Sequence, residues 1–248
     1  MAGETVTSMR GSVIALQSIY ETAAVARHTI GARLQLGERV FYYAKNGGAI
    51  LAPATMAQKI AQVANHITLA CPTSSVVGAK HIWVTLGGTA VTANMYAEGY
   101  IHVSDATTKF AMKIKSHIAQ ATVNGNVKIN LYDPIPAVVT AASSILALTR
   151  NPWDSVIVVP LGGITAMPVG VSLVSVPISE YFWCQTWGPA ALGVKGTIVA
   201  GDATMLGGTT DGFAGPVGEA VVQKFSWGTA ITIMADTKTS LVYLTIAP

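Results

Sequence analysis

The sequence predicts an all-β fold: a sandwich or one or more barrel-like β domains, made of short strands and hairpins, with an extended N-terminal segment. Two patterns carry this prediction. Apolar and polar residues alternate over short stretches, and Gly, Pro and Asn separate those stretches at even intervals. With 248 residues, the chain is long enough for one large β domain or for two smaller ones.

The composition indicates a chain that assembles with other subunits. Charged residues make up only 11% of the sequence, against about 25% in an average soluble protein, and 51% of the residues are hydrophobic. Because a free monomer needs polar residues to cover its surface, we expect much of this surface to be buried against other subunits, as in a homo-oligomer. The formal net charge is +3 without any basic run, which argues against nucleic-acid binding.

The N-terminal 30 residues have weak periodicity, which is typical of an arm or extended segment ordered by a neighbouring subunit. They lack the basic segment followed by an apolar one that marks a secretory signal. Residues 155–179 carry no charge, yet Pro160, Pro168 and Pro177 interrupt them. Since these prolines would break a membrane helix repeatedly, the stretch is interpreted as short buried strands, with no membrane span.

Beyond residue 30, the predicted organisation is a β region at 31–135 and a β domain at 136–248, with a soft boundary between 133 and 153. Asn46-Gly47 and Asn124-Gly125 predict turns of two hairpins, at 39–53 and 121–131, because both pairs tolerate positive φ. Residues 55–67 fit a helix or a strand equally. Further strands are predicted at 80–86, 100–103, 110–114, 156–159, 171–176, 197–200, 230–234 and 241–246.

The stretch at 181–202 holds four aromatic residues within its first seven positions. We predict a rigid hairpin that turns at Gly188-Pro189, since this pair would stop a helix. Alternation along a strand would place Tyr181 and Trp183 on one face and Phe182 on the other. A fainter copy of the pattern occurs 141 positions earlier, which indicates either a degenerate duplication or one hairpin design used twice.

Large aromatic side chains are favoured at protein interfaces, although they also form platforms for sugars. We expect the faces of Trp183 and Trp187 to be covered by protein, in the core or between subunits. The candidate interface residues are Phe41, Tyr43, Trp153, Tyr181, Trp183 and Trp187.

The sequence predicts no catalytic, cofactor or metal site, and thus no enzyme. His102, Ser104 and Asp105 supply the residue types of a catalytic triad, but a turn after a strand is the simpler interpretation. The other histidines and Cys71 lack the close spacing of a zinc motif. No Gly-rich segment continues into the Gly-Lys-Ser/Thr of a phosphate loop. Cys71 and Cys184 are expected to be buried free thiols.

Ten short motifs occur in order over most of the chain, roughly residues 27 to 246. They are RHTIG at 27–31, VFYYAKNGG at 40–48, VTLGGTAVTAN at 84–94, YAEGY at 96–100, VSDAT at 103–107, IKSH at 114–117, LYDP at 131–134, RNPW at 150–153, WGPA at 187–190 and GEA at 218–220. Together they resemble a family of tailed-bacteriophage virion proteins, of the capsid decoration (cement) or minor head type. The resemblance implies β-rich subunits, trimers, seated on the outer capsid surface against the major capsid protein, with no catalytic residues. Tail structural proteins and virion-surface modules that bind host glycans are the alternatives.

Overall fold

The all-β prediction is confirmed by a computed structural model, which describes residues 16–105, 108–141, 143–160, 163–206, 210–216 and 226–248. The chain forms two compact units. The barrel unit is Gln62–Asn151, and the sheet unit comprises the described parts of Met1–Ala61 and Pro152–Pro248. The division falls at 61/62 and 151/152. The second of these lies within the predicted soft boundary of 133–153 but not at 135/136, and the first was not predicted.

Six antiparallel strands close the barrel unit, in the order β4-β5-β8-β7-β6-β9, with β9 paired back onto β4. Residues 136–151 therefore belong to this unit, because they supply the strand that closes it. The strands are β4 (Leu69–Ala70), β5 (His81–Thr85), β6 (Tyr100–Ser104), β7 (Lys109–His117), β8 (Asn126–Leu131) and β9 (Ile145–Thr149).

The barrel interior follows from the two-residue period of its strands. Ile82 and Val84 of β5 and Leu86 just beyond it are buried together, as their spacing predicts. Asn124 has the predicted positive φ of 57°, but the hairpin predicted at 121–131 is wrong. Only its second arm, β8, is a strand, because the Gly125 N–H donates to the Thr122 carbonyl oxygen and the first arm forms a turn between β7 and β8. β8 pairs with β5 and β7.

Two histidines and a tyrosine form a buried polar cluster in the barrel unit. The Tyr96 hydroxyl contacts His66 Nδ1, and His66 Nε2 lies 2.8 Å from the Thr89 carbonyl oxygen. His117 Nε2 accepts a hydrogen bond from the Tyr96 backbone N–H at 3.1 Å, so its proton is on Nδ1, which donates to the Ile118 carbonyl oxygen. Burial raises the pKa of Tyr96 to about 12. Because one ring nitrogen of His117 accepts and the other donates, His117 is held as the neutral imidazole.

Acidification is expected to destabilise the barrel unit. Burial lowers the pKa of His117 below its usual 6.5, and nearby His66 acts in the same direction, against the hydrogen bond to Ile118. Below pH 6.5 the unfolded chain therefore binds more protons than the folded chain. The contribution of neutral His117 to the free energy of unfolding is complete above that pH, and it falls by at most about 1.4 kcal/mol per pH unit below it. Urea midpoints of the wild-type chain and of His117→Gln, measured from neutral to mildly acidic pH, test this. Equal shifts in both chains would contradict it.

Ten strands within the described residues form the sheet unit, with the path β10-β3-β11-β12-β16-β15-β13-β14 and with β2 joining β1 to β12. β3 and β10 pair with each other although the whole barrel unit lies between them in sequence. The strands are β1 (Arg33–Leu36), β2 (Arg39–Lys45), β3 (Met56–Gln58), β10 (Ile157–Val158), β11 (Pro168–Ser172), β12 (Tyr181–Gly193), β13 (Ala203–Leu206), β14 (Ala214–Gly215), β15 (Gly228–Ala230) and β16 (Thr239–Thr245).

The long strand β12 corrects the prediction of a hairpin at 181–202. The chain does not turn at Gly188-Pro189, because both residues stay in register with β16, opposite Leu244 and Tyr243. Gly188 has φ +83°, and a Cβ there would lie 2.6 Å from the Glu38 carbonyl oxygen. The glycine thus permits a close approach of two backbones, which is a role that a sequence pattern does not distinguish from a turn.

The hairpin predicted at 39–53 is also wrong. β2 pairs with β1 and with β12, and the segment after Asn46 does not return along it. Asn46 is buried, and its Nδ2 donates to the carbonyl oxygens of Ala49, Val176 and Pro177 at 2.8–2.9 Å, so it anchors a loop. The two similar stretches near 41 and 182 are therefore adjacent strands of one sheet, and neither is a hairpin.

Most other predicted strands are present. Those at 80–86, 100–103, 110–114 and 241–246 correspond to β5, β6, β7 and β16, whereas 197–200 contributes only an isolated bridge from Ile198 to Met234. The strand predicted at 230–234 is wrong beyond Ala230, where β15 ends, because both Ile231 and Thr232 donate to the one Leu241 carbonyl oxygen and the chain leaves the ladder. The strand predicted at 171–176 is limited to Val171 and Ser172, at the end of β11. The ambiguous residues 55–67 contain β3 and a 3-10 turn at Ala64–His66. The uncharged stretch 155–179 holds the short strands β10 and β11, and none of the described residues form a helix long and apolar enough to cross a membrane.

Both cysteines are buried free thiols, as predicted. Cys71 belongs to the barrel core and Cys184 to a core cluster of the sheet unit. Burial raises the pKa of each thiol, which suppresses the thiolate that reactive cysteines need. Neither cysteine is therefore suited to redox chemistry or nucleophilic catalysis.

Candidate interaction surface

An aromatic core lies against the first half of β12. Trp183, Tyr43 and Phe41 are at most 1% exposed and pack together with Leu34. Tyr43 and Trp183 meet edge to face, with ring centroids 5.0 Å apart. Because these three aromatic residues are enclosed within the sheet unit, they offer no surface to a partner. They are core residues, and the expectation that Trp183 is covered by protein is confirmed.

Gln17 holds the N-terminal segment over this core. Its carbonyl oxygen accepts a hydrogen bond from Trp183 Nε1 at 3.0 Å, and its Oε1 accepts one from the Tyr43 hydroxyl at 2.7 Å. Nearby, the His28 ring packs 5.1 Å from the Trp183 ring, and burial lowers its pKa. The described part of the predicted arm, 16–30, thus covers its own unit, and residues 1–15 lie outside the described chain.

The other three interface candidates are half-buried. Trp153 stacks on Tyr42 with centroids 4.1 Å apart, and the Lys45 ammonium lies 5.5 Å from the centre of the Tyr181 ring. Trp187 meets Tyr243 edge to face at 6.2 Å. Of these candidates, Trp187 lies on the part of β12 that the N-terminal segment leaves open.

The outer face of the sheet unit is formed by alternate residues of β12, β16 and β15. In β16 the even positions are buried, and the odd positions are exposed or half-exposed. Neither β16 nor the second half of β12 contains a charged residue, nor does β15. An exposed face of an antiparallel sheet is usually polar, so this composition is typical of an interaction surface. The outer face comprises Trp187, Pro189, Ala191, Thr229, Thr239, Leu241, Tyr243 and Thr245.

Beside the outer face lies an open groove of about 440 Å³, which we call the Arg39 groove. Pro189, Ala191 and Thr239 belong to both surfaces. The walls are mostly apolar and include Pro53 and Leu173, and the exposed Tyr20 stands at the rim. Arg39 is the charged residue of the lining.

Two polar groups of the groove have no polar partner within the described residues. The guanidinium of Arg39 lies 5.5 Å from the centre of the Phe41 ring and makes no hydrogen bond or ion pair there. Gln185 is fully buried, and its Nε2 donates to the carbonyl oxygens of Trp187 and Pro189, at 3.1 and 2.8 Å. Since both partners are acceptors, the amide orientation is fixed, and Gln185 Oε1 is left without a donor.

The turn that supplies the residue types of a triad contains Asp105, which bonds to serines other than Ser104. Asp105 accepts hydrogen bonds from the Ser143 and Ser144 hydroxyls, at 3.1 and 2.9 Å, which supports its interpretation as part of a turn. Among the described residues, no three His, Cys, Asp or Glu side chains lie close enough together to hold a metal ion.

Sequence reasoning identified Trp187 but missed Arg39, Gln185 and Leu241. The absence of charge from 187–193 and 239–245 was visible in the sequence and could have drawn attention to Leu241. Nothing in the sequence marks Arg39 or Gln185, because their lack of partners depends on how β2, β11 and β12 meet.

Comparison of the chain with known protein families, with curated proteins and with solved structures gives no match.

Proposed function

We propose that this chain is a non-enzymatic structural subunit of a tailed-bacteriophage virion, which decorates the outer capsid surface and stabilises contacts between capsomers. The observation that carries the proposal is the uncharged outer face on β12, β15 and β16. The motifs that resemble virion decoration proteins and the 11% content of charged residues add to it. The subunit would stabilise the capsid by burying apolar surface, because each Å² of apolar surface removed from water contributes about 25 cal/mol. The same contact is repeated at every copy of the subunit in the shell.

In this proposal the outer face packs against neighbouring copies in a homotrimer, and the trimer sits on the major capsid protein. Leu241 and Ala191, which pair across β16 and β12, lie near the centre of that contact. A sheet face without charge suits such a contact, since charged residues are depleted from interface cores.

Leu241→Lys is expected to weaken self-association by at least about tenfold, because it places a charge in the centre of an apolar contact. Sedimentation equilibrium over a range of concentrations measures the change. Ile50→Lys is the matched control, since Ile50 is an exposed apolar residue of the same unit outside the outer face. A wild-type chain that stays monomeric, or a variant that associates like the wild type, would overturn the role of the outer face.

The location in the particle is tested separately. A reconstruction of the virion that carries this chain is expected to show it on the capsid at points of local threefold symmetry. Finding the chain only in the tail would replace decoration with a tail structural role.

Adhesion to host glycans is the second candidate function. The observation that favours it is the half-exposed pair of Trp187 and Tyr243, since exposed aromatic rings can stack on sugars. Trp183 is buried and cannot take part. Glycan-array binding that is lost in Trp187→Ala, with self-association unchanged, would favour adhesion over the structural role.

A further inference from the structure

We propose that the Arg39 groove binds an acidic peptide segment: an extended stretch of polypeptide with one carboxylate flanked by small apolar side chains. The inference goes beyond the role of the outer face. It rests on the groove's own polar groups and walls and does not depend on whether the chain is a virion protein.

The positive charge of Arg39 favours an anionic ligand in the groove. Arg39 is half-buried and forms no ion pair in the described chain, and Glu38, its neighbour in sequence, points no carboxylate to within 4 Å of it. The contact with the Phe41 ring holds the guanidinium by a cation–π interaction and leaves its N–H donors available. A carboxylate can accept two of these hydrogen bonds in parallel, which is the strongest pairing open to an arginine.

Gln185 is part of the groove wall and does not face its opening. The residue is fully buried, and its Oε1 has no donor among the described residues. The charged group that a ligand meets at the groove is therefore the Arg39 guanidinium, which matches a carboxylate side chain.

The groove walls favour a peptide over an acidic sugar. Sugars need several side-chain hydrogen bonds, but two polar groups of the lining already have partners within the chain. The Ser172 hydroxyl donates to the Ala52 carbonyl oxygen at 2.6 Å, and Gln185 Nε2 has two acceptors. The rest of the wall is mostly apolar and includes Pro53, Leu173 and Pro189. Small apolar side chains on either side of a glutamate or aspartate would pack against it.

The test is a titration of the full chain with short acetylated, amidated peptides that carry one glutamate between small apolar residues, followed by heteronuclear NMR. The peptides place Ala, Val, Leu or Pro beside the glutamate, and matched peptides carry glutamine instead. We expect saturable shifts at groove residues, and binding at least about tenfold weaker for the glutamine peptides.

Arg39→Gln is expected to weaken binding of the glutamate peptides by at least about tenfold, with partial recovery in Arg39→Lys. Lys115→Gln is the control, because it removes one exposed cation from the barrel unit and should leave binding unchanged. Three results would overturn the inference: no binding by any peptide, equal binding of the glutamate and glutamine peptides, or tighter binding of glucuronate than of the peptides. Because Pro189, Ala191 and Thr239 also lie on the outer face, the titration is repeated with the Leu241→Lys chain, in which self-association is weakened. Failure of the peptides to bind either chain overturns the inference whatever the oligomeric state, so it is distinguishable from failure of the proposed function.

Discussion

Replacing Trp183 with alanine is expected to lower the free energy of unfolding of the sheet unit by about 3–5 kcal/mol. The indole is 1% exposed and fills the space between β2, β12 and the N-terminal segment. Its removal leaves a cavity and also deprives the buried Gln17 carbonyl oxygen of its donor at 3.0 Å. Because Gln17 also accepts from Tyr43, we expect the segment 16–30 to loosen together with the aromatic core.

Trp187→Ala is the matched control for this substitution. It removes the same side chain from the same strand, at a half-exposed position of the outer face. Its cost is expected to be clearly smaller, since less of the indole leaves a packed environment. Chemical denaturation of both variants, followed by far-UV circular dichroism, measures the difference. Equal costs at the two positions would show that the aromatic core is not built as described.

Gly228→Ala is expected to cost more than about 3 kcal/mol or to prevent folding of the sheet unit. Gly228 has φ +155°, and a Cβ placed there would lie 1.9 Å from the Tyr243 carbonyl oxygen. That atom belongs to the backbone of β16, so relief requires β15 and β16 to separate. The substitution therefore tests the strand pairing that presents Tyr243 and Thr229 on the outer face.

Gly48→Ala is the control for Gly228→Ala. A Cβ at Gly48 meets nothing within 4 Å, and its φ is not in the left-handed region, so the substitution should be close to neutral. Soluble yield and thermal unfolding of the two variants distinguish a local backbone clash from a general intolerance of alanine. A stable, wild-type-like Gly228→Ala chain would contradict the pairing of β15 with β16.

Local patterns in the sequence were sufficient to locate a strand where that strand has one buried face. Alternation located β5 through Ile82 and Val84, and β16 through Val242 and Leu244, because a two-residue period is imposed by the strand itself. The same reasoning separated Trp183 from Phe182, which pack in different core clusters of the sheet unit.

Turn signals were less reliable because glycine has more than one use. Asn46-Gly47 and Gly188-Pro189 have the composition of turns, yet Asn46 anchors a loop and Gly188 permits β2 to approach β12. Both outcomes depend on which backbone lies opposite. That information is carried by residues more than 100 positions away in the sequence.

The candidate interaction surface also depends on residues that are distant in the sequence, so local patterns could not define it. Aromatic content singled out Trp187 and Trp183 alike, but only burial by the N-terminal segment separates the core residue from the surface residue. Arg39 and Gln185 became candidates only when three strands brought them to one groove, where the Arg39 guanidinium and Gln185 Oε1 have no polar partner within the described residues.

The all-β class, the two-residue strand periods, the low charge and the buried state of both thiols were all readable from the order of residues, because each depends on local composition or on total apolar content. The tertiary structure decided the rest: that 62–151 form a separate barrel, that 181–193 form one strand, and that Trp187, Pro189 and Ala191 of its second half are partly or fully exposed within the described chain. These features depend on pairings between distant segments, such as β3 with β10 and β2 with β12, and a local pattern carries no information about which distant partner a strand will meet.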